Sequence, residues 1–303
     1  MAWHKKKKTN LTKLRLLRTF VQFIMFVLMN LTFFLIGATW LVLPVNMPRS
    51  LFSSSEGAFF LLQRMLTMAI VPLIPLAVFF LSGAILGRFF CAWACPFGLF
   101  QDILGYLTSW IRKYEPTRET NLNLRQFGEF ITGATLLLST FIGVNVALGE
   151  KATVEAAFDV FVDQPWAVLS PSAFLFTAIP LLFWWGGIEN FFIWDKFILI
   201  DIIFWLRIFI FIFAVILVIY IPRGWCRWFC PVGTIMGHLG KNSLLGIGRN
   251  ISKCNHCGFC EDVCPMGVRI LSHPSEKVRS PHCTNCMDCV AVCPEDAMEI
   301  KFL

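Results

Sequence analysis

The sequence predicts an α-helical membrane protein of four transmembrane helices that ends in a compact, cysteine-rich α+β domain. Three observations predict it. The composition is 57% hydrophobic and 15% charged, with a mean hydropathy of +0.68, outside the range of soluble globular domains. The apolar residues come in long runs, and the segments between the runs share Lys and Arg unevenly. All twelve cysteines fall in spaced motifs, eight of them between residues 254 and 293.

Taken in order, residues 1–19 carry Lys5, Lys6, Lys7, Lys8, Lys13, Arg15 and Arg18 and no acid. That reads as a basic cytoplasmic N-terminus under the positive-inside rule. The apolar run that follows is too long for the core of a cleaved signal and reads as a retained span. Residues 20–240 form the membrane domain. Its first span is 20–43, ended by Pro44 and Pro48, and residues 45–64 form a short outer loop. The second span is 65–90, where neighbours must satisfy the carbonyls freed by Pro72 and Pro75. Within 99–127, Tyr106, Trp110 and Tyr114 recur every four residues, beside Arg112, Lys113, Arg118 and Arg125. This predicts an interfacial helix on the cytoplasmic surface with its aromatics on one face.

Residues 128–148 form the third span, and the acidic loop with Glu150, Glu155, Asp159 and Asp163 reads as external. The stretch 166–193 is apolar but broken by Pro171, Pro180, Gly186 and Gly187, and 197–221 is the last clear span. The proposed inner segments hold seven, five and five Lys/Arg, against four on the outer ones. The bias favours four spans in the inner membrane, with both termini cytoplasmic and 166–193 re-entrant or lying at the outer interface. The formal charge of +7 is therefore a matter of topology and of lipid, with no nucleic acid implied. Residues 241–250, Lys-Asn-Ser-Leu-Leu-Gly-Ile-Gly-Arg-Asn, lose the apolar character and read as a linker to a domain at 251–303.

That domain carries C-x2-C-x2-C-x3-C-P twice, as Cys254, Cys257, Cys260, Cys264-Pro265 and as Cys283, Cys286, Cys289, Cys293-Pro294. This is the bacterial two-cluster ferredoxin run, in which three thiolates of one loop hold a [4Fe-4S] cube and the fourth cysteine ligates the other cube. The spacing thus assigns Cys254, Cys257, Cys260 and Cys293 to one cluster, and Cys283, Cys286, Cys289 and Cys264 to a second. Paired zinc knuckles usually lie far apart and account poorly for so compact a repeat.

A second repeat lies in the membrane domain. Cys91 and Cys226 are 135 residues apart, as are Cys95 and Cys230, and Trp93, Pro96, Gly98 and Gly105 match Trp228, Pro231, Gly233 and Gly240. This predicts a duplicated membrane unit, each copy ending in C-x3-C-P at the same surface. Four thiols brought together in this way could hold a further iron–sulfur centre or act as redox thiols; packing as free thiols remains the plain alternative.

Negatives narrow the chemistry. No C-x-x-C-H, G-x-G-x-x-G after a strand, or Walker A motif is present, and none of the five histidines lies inside a proposed span. Electrons therefore move on clusters alone, unless a quinone, the natural small redox carrier of the bilayer, contributes; its site would need an apolar cleft with a few polar groups. Asp201, Arg207, Glu129 and His238 are the ionisable candidates for its protons.

Together, CAWACPFG, GWCRWFCPVG and the CNHCGFCEDVCP…CTNCMDCVAVCP pair resemble the ferredoxin-type membrane subunits of periplasmic nitrate reductase systems, the NapH family; the methylamine-utilisation protein MauN is similar. The resemblance implies an electron-transfer subunit of a quinol-oxidising complex. It would pass electrons from the quinol pool to a partner ferredoxin or multihaem cytochrome and on to a periplasmic reductase, with Cys91, Cys95, Cys226 and Cys230 in the path. The long apolar stretch 166–193 departs from that pattern. The alternatives are an accessory factor for metalloenzyme maturation of the FixG type, which carries a further C-terminal β domain, and a membrane anchor of a reductase complex.

Overall fold

The structure, a computed structural model, describes residues 2–35, 41–49, 55–111, 114, 116–158, 161–180, 202–273 and 276–302. It is mostly helical, with a small two-stranded lobe at the C-terminal end. Helix α1 (Ala2–Leu35) is 34 residues long, about 50 Å at 1.5 Å per residue. It runs without a break through the expected division at 19/20. Residues 9–19 contain neither Gly nor Pro, so nothing there interrupts a helix. The expected first span does not reach residue 43 as helix. Strand β1 (Leu41–Leu43) pairs in parallel with β2 (Ser55–Gly57). Gly57 allows this return, because a Cβ there would stand 2.3 Å from the Val45 carbonyl oxygen.

Most described residues of the expected outer loop 45–64 are buried within the protein. Helix α2 (Ala58–Thr67) buries Phe59, Phe60 and Gln63 completely. The expected span 65–90 is also divided. Ala69 takes a left-handed φ of 57°, and Pro72 stands at the N-cap of α3 (Leu73–Leu86). Proline has no N–H to give and pushes its predecessor out of the helical region. At 14 residues, α3 is about 21 Å long, short of a hydrocarbon core of about 30 Å. Gly87, at φ 59°, ends it and leads into α4 (Phe89–Trp93) and α5 (Pro96–Leu107).

Helix α5 stops at Leu107, so Tyr106, Trp110 and Tyr114 do not share one helix face; Tyr114 N instead donates to the Tyr220 carbonyl at 2.9 Å. All three rings are nonetheless exposed. Helix α6 (Arg118–Ala147) begins ten residues before the expected span, capped by the Thr117 hydroxyl, which accepts from Thr120 N. The acidic loop after it contains α7 (Lys151–Phe158). The broken apolar stretch forms α8 (Pro165–Leu169), α9 (Pro171–Ala173) and a π turn at Phe174–Ala178. There Trp166 is buried, and its backbone N–H donates to Gln63 Oε1 at 3.1 Å. The remainder of that stretch after Pro180, and Asp201, lie outside the described residues. Helix α10 (Ile202–Tyr220) leads into α11 (Gly224–Trp228) and α12 (Pro231–Leu239).

Among the described residues, two helices are long and apolar enough to cross a membrane, Arg118–Ala147 and Ile203–Tyr220. The expectation of four spans is not met at that standard. One apolar core joins α2, α3, α5, α8 and α10 to α12 around Phe59, Phe60, Phe97, Trp166, Trp225 and Met236.

The C-terminal lobe corrects the expected linker. Residues Leu245–Arg249 are strand β3, fully buried and paired antiparallel with β4 (Met298–Phe302). The glycines that suggested a linker serve packing. A Cβ on Gly246 would meet the Lys277 stem at 2.4 Å, and one on Gly248 the Lys301 stem at 2.6 Å. Two one-turn helices, α13 (Phe259–Asp262) and α14 (Asp288–Val292), complete the lobe around Ile247, Met266, Val268 and Ile270.

Candidate functional site

Each ferredoxin-type loop wraps its cysteines by backbone conformations that L residues rarely adopt. His256 and Asn285 have φ 57° and 51°, Gly258 and Met287 84° and 65°, and Gly267 and Asp296 59° and 47°. Every pair is 29 residues apart, the same interval that separates the matching cysteines. The left-handed turns therefore repeat although the side chains do not. Turns of this kind direct successive N–H groups to one side, where they favour an anion.

The loops enclose two cavities. Cys264, Cys283, Cys286 and Cys289 line one, walled by Ile247, Met266, Val268 and Ile270. Cys254, Cys257, Cys260 and Cys293 line the other, whose rim includes Asn255 and Glu295. In each, the fourth cysteine comes from the other loop. Its sulfur also accepts from the backbone four residues on: Val268 N to Cys264 Sγ at 3.4 Å, and Ala297 N to Cys293 Sγ at 3.3 Å. N–H donors to ligand sulfur tune cluster potentials.

The donor set fits a polynuclear group. Among the described residues no three Cys, His, Asp or Glu side chains converge on a single-ion position; the thiols surround a volume instead. Burial pushes the Cys260 and Cys283 thiols up to about 11 and Cys286 to about 12. Thiolates in such surroundings need cations beside them, and metal binding must displace their protons.

The membrane-domain cysteines are also brought together. In each unit the first cysteine sits on a five-residue helix, Cys91 on α4 and Cys226 on α11, and the second is the N-cap of the next helix. The hydrogen bonds repeat at 135 residues: Cys95 N donates to Phe90 O at 3.0 Å and Cys230 N to Trp225 O at 3.2 Å. Across the two units, Cys226 is close enough to Cys91 and Cys95 to interact electrostatically with both. Gln101 Nε2 lies 2.9 Å from Cys226 Sγ.

Arginines lock the units to each other. Arg88 and Arg223 each stand three residues before the first cysteine of their unit. Arg88 Nη2 donates to the Cys226 carbonyl at 3.2 Å, and Arg223 makes a bidentate pair with Asp102. In the sequence these two count as inner-surface charge; the repeated R-x2-C-x3-C-P is the signal that marks them as part of each unit.

The lobe docks through its Cys283 side. Trp93 Nε1 donates to Asn285 O at 3.2 Å, Asn285 Nδ2 to Leu86 O at 3.2 Å, and Arg88 Nη1 to Pro281 O at 3.2 Å. From α1, Arg18 Nη1 reaches Asp288 Oδ1 at 2.7 Å and Arg15 Nε reaches Asp288 Oδ2 at 3.0 Å. The basic N-terminal stretch is thus a structural clamp at Arg15 and Arg18. Cys91, Cys95, Cys230, Cys286 and Cys289 are buried, whereas Cys257 is exposed. Of the ionisable candidates, Glu129 and His238 meet at 3.2 Å, and Arg207 lies within α10.

Comparison with known proteins bears on both repeats. The family description "4Fe-4S binding domain" matches residues 67–115 and again 202–252, two segments whose starts are 135 residues apart. "4Fe-4S dicluster domain" matches 253–298. The chain is 28% identical to the putative electron transport protein YccM of Escherichia coli, over 72% of this chain and 52% of that one. It is 28% identical to the ferredoxin-type protein NapH of Haemophilus influenzae, over 76% and 68%, and 26% identical to the methylamine utilization ferredoxin-type protein MauN of Methylorubrum extorquens, over 76% and 67%. The chain is a homologue of the NapH and MauN ferredoxin-type proteins. The match spans about half the length of YccM and about two thirds of the NapH and MauN relatives. No solved structure matches it.

Proposed function

We propose that this protein takes electrons from membrane quinol and conducts them through two [4Fe-4S] clusters to a soluble redox partner. The first cluster is held by Cys264, Cys283, Cys286 and Cys289, the second by Cys254, Cys257, Cys260 and Cys293. The reading is carried by the layer of Cys91, Cys95, Cys226 and Cys230, lying between the membrane helices and the Cys283 cavity. Clusters bound in the two cavities would supply one-electron carriers. The chain's own part is to hold them by crossed thiolates, donate N–H groups to their sulfur and keep water from the inner one. Electrons leave beside Cys257, where a partner ferredoxin or cytochrome can approach.

The chain sits in the inner membrane with its cysteine layers cytoplasmic, in keeping with the bias in Lys and Arg. Besides α6 and α10, helices α1 and α3 expose large apolar side chains, among them Phe20, Phe23, Leu28, Leu73, Phe80 and Leu81. Such faces suit lipid, so all four helices contribute to the membrane domain, α3 as a partial crossing.

The test is anaerobic reduction of the clusters by quinol in native membranes, followed by absorbance and EPR. Wild type should be reduced by quinol and by dithionite. Replacing Cys91 and Cys226 with Ala should abolish the quinol route and spare the dithionite route. Clusters that quinol never reduces in wild type would instead leave an accessory or anchoring role.

A further inference from the structure

A chain of alternating charges runs from the membrane domain to the Cys283 loop. Arg223 Nε donates to Asp102 Oδ1 at 2.7 Å, and Asp102 Oδ2 lies 3.7 Å from Arg18 Nε. Arg18 Nη1 in turn reaches Asp288 Oδ1 at 2.7 Å and the Cys286 carbonyl at 3.3 Å. Arg88 adds another cation. Its Nη groups bond to the carbonyls of Cys226 and Pro281, and to no carboxylate among the described residues. Arg18, Arg88 and Arg223 are all buried, so three guanidinium groups share two carboxylates there. A buried charge left in excess is costly, so this junction calls for an anion. Arg18 and Arg223 interact electrostatically with Cys286, and Arg88 with Cys283. At the outer site Cys260 has the carboxylate of Glu261 beside it instead.

We propose that Arg18, backed by Arg223 and Arg88, raises the reduction potential of the cluster held by Cys264, Cys283, Cys286 and Cys289. The assignment rests on the two-cluster reading above and deepens it, by saying how a buried site can accept an electron from quinol. A cluster on four thiolates is anionic, and one-electron reduction makes it more so. Burial opposes that step, because charge away from water loses its hydration. A fixed positive charge beside the ligands favours it, the more so where little water screens the field. Arg18 is suited to this part. It is held between two carboxylates, it donates to the carbonyl of a ligand cysteine, and a guanidinium keeps its proton. Asp288 acts the other way. It fixes Arg18, yet its own carboxylate lies between Cys286 and Cys289 in the chain and opposes the added electron. The two partners of one ion pair thus act alike on docking and oppositely on potential.

The experiment is a mediated redox titration of the full chain in lipid nanodiscs under anaerobic conditions, followed by EPR. Dithionite is the reductant, and no quinol is added. The Cys264→Ala, Cys283→Ala variant carries the outer cluster alone and identifies its signal. Arg18→Gln should lower the inner cluster's reduction equilibrium constant about tenfold, a fall of about 60 mV. Asp288→Asn should raise it by about the same factor, although it loosens the lobe as well. Arg18→Lys keeps the charge and should stay within about twofold of wild type. The outer midpoint should be the same in all three. Should Arg18→Gln fail to assemble, the direction of the Asp288→Asn shift decides alone. If both substitutions move the inner midpoint the same way or leave it in place, or if Arg18→Lys falls with Arg18→Gln, Arg18 acts through packing. The assignment is then overturned and the proposed function stands. Wild type that shows fewer than two clusters overturns the two-cluster reading, and this assignment goes with it.

Discussion

The two cysteine-lined cavities share a backbone and differ in what surrounds them. The Cys283 group is enclosed by Ile247, Met266, Val268 and Ile270 and faces Arg18 and Arg88 across the junction. The Cys254 group opens at its rim to Asn255 and Glu295, and its Cys257 is exposed. One duplication has thus yielded an inner and an outer station. The inner one is covered by contacts with the membrane domain, and the outer one has an exposed cysteine, Cys257. Cluster potentials respond to net charge, to hydrogen bonds on sulfur and to solvent exposure. The N–H···S bonds are alike in the two sites, so charge and exposure are what distinguish them.

The comparison breaks most sharply at the crossed ligands. Cys264→Ala with Cys283→Ala removes two ligands of the inner site alone, and half of the lobe's iron should remain. Cys254→Ala with Cys264→Ala removes one ligand from each site, and both clusters should be lost. Iron quantitation and EPR on the two double variants decide the matter, since ligation within each loop predicts the reverse pattern.

Next in size is the difference in how the stations are anchored. Asp288 is 1% exposed and holds both Arg15 and Arg18. Asp288→Ala removes the shorter ion pair of the buried Arg18, which keeps Asp102 at 3.7 Å, and should cost about 3 kcal/mol, read as a lower denaturant midpoint and faster proteolytic release of the lobe. Glu295 occupies the outer rim and bonds only to Asn255 Nδ2, at 3.1 Å, on the exposed surface. Glu295→Ala should change stability by no more than about 0.5 kcal/mol. Equal effects would mean that the lobe is not held by its Cys283 side.

What the sequence made legible was chemistry at fixed spacing. The eight lobe cysteines fall into two groups of four, and the 135-residue repeat recurs in backbone hydrogen bonds at Cys95 and Cys230. What it hid was packing. Gly246 and Gly248 look like a linker because composition cannot show that Lys277 and Lys301 cross over them. Lys13, Arg15 and Arg18 look like one solvated run, yet the partner of Arg18 is 270 residues away. Pro72 was visible as a kink, but Ala69 and Gly87, whose left-handed turns cut the span at both ends, carry no such mark. The left-handed pairs of the lobe were equally silent, since Gly258 corresponds to Met287.

Exposure itself gives the third test. Oxygen reaches a cluster through solvent, and Cys257 is exposed whereas Cys286 and Cys289 are buried. On admission of air, the EPR signal of the outer station should decay several-fold faster than that of the inner. The Cys264→Ala, Cys283→Ala double variant isolates the outer signal and should show the fast phase alone. A single common rate would argue that the seal around the inner cavity opens as readily as the outer rim.

The smallest effect tests the shared backbone. Gly258 holds φ 84° with nothing within 4 Å of where a Cβ would stand, and Met287 holds φ 65° at the equivalent place. Gly258→Ala therefore meets no steric obstacle and should cost only the left-handed strain of an L residue, about 1 kcal/mol. Gly258→Asn should cost less, because Asn tolerates that region. Met287→Gly relieves the strain but removes a side chain packed against the lobe core, so its net effect should be destabilising or close to zero. Thermal midpoints of the three variants, taken with clusters intact, separate strain from packing. Should Gly258→Ala lose its cluster outright, the loop needs glycine for approach to the cluster itself, and the two stations are less alike at the backbone than their dihedral angles indicate.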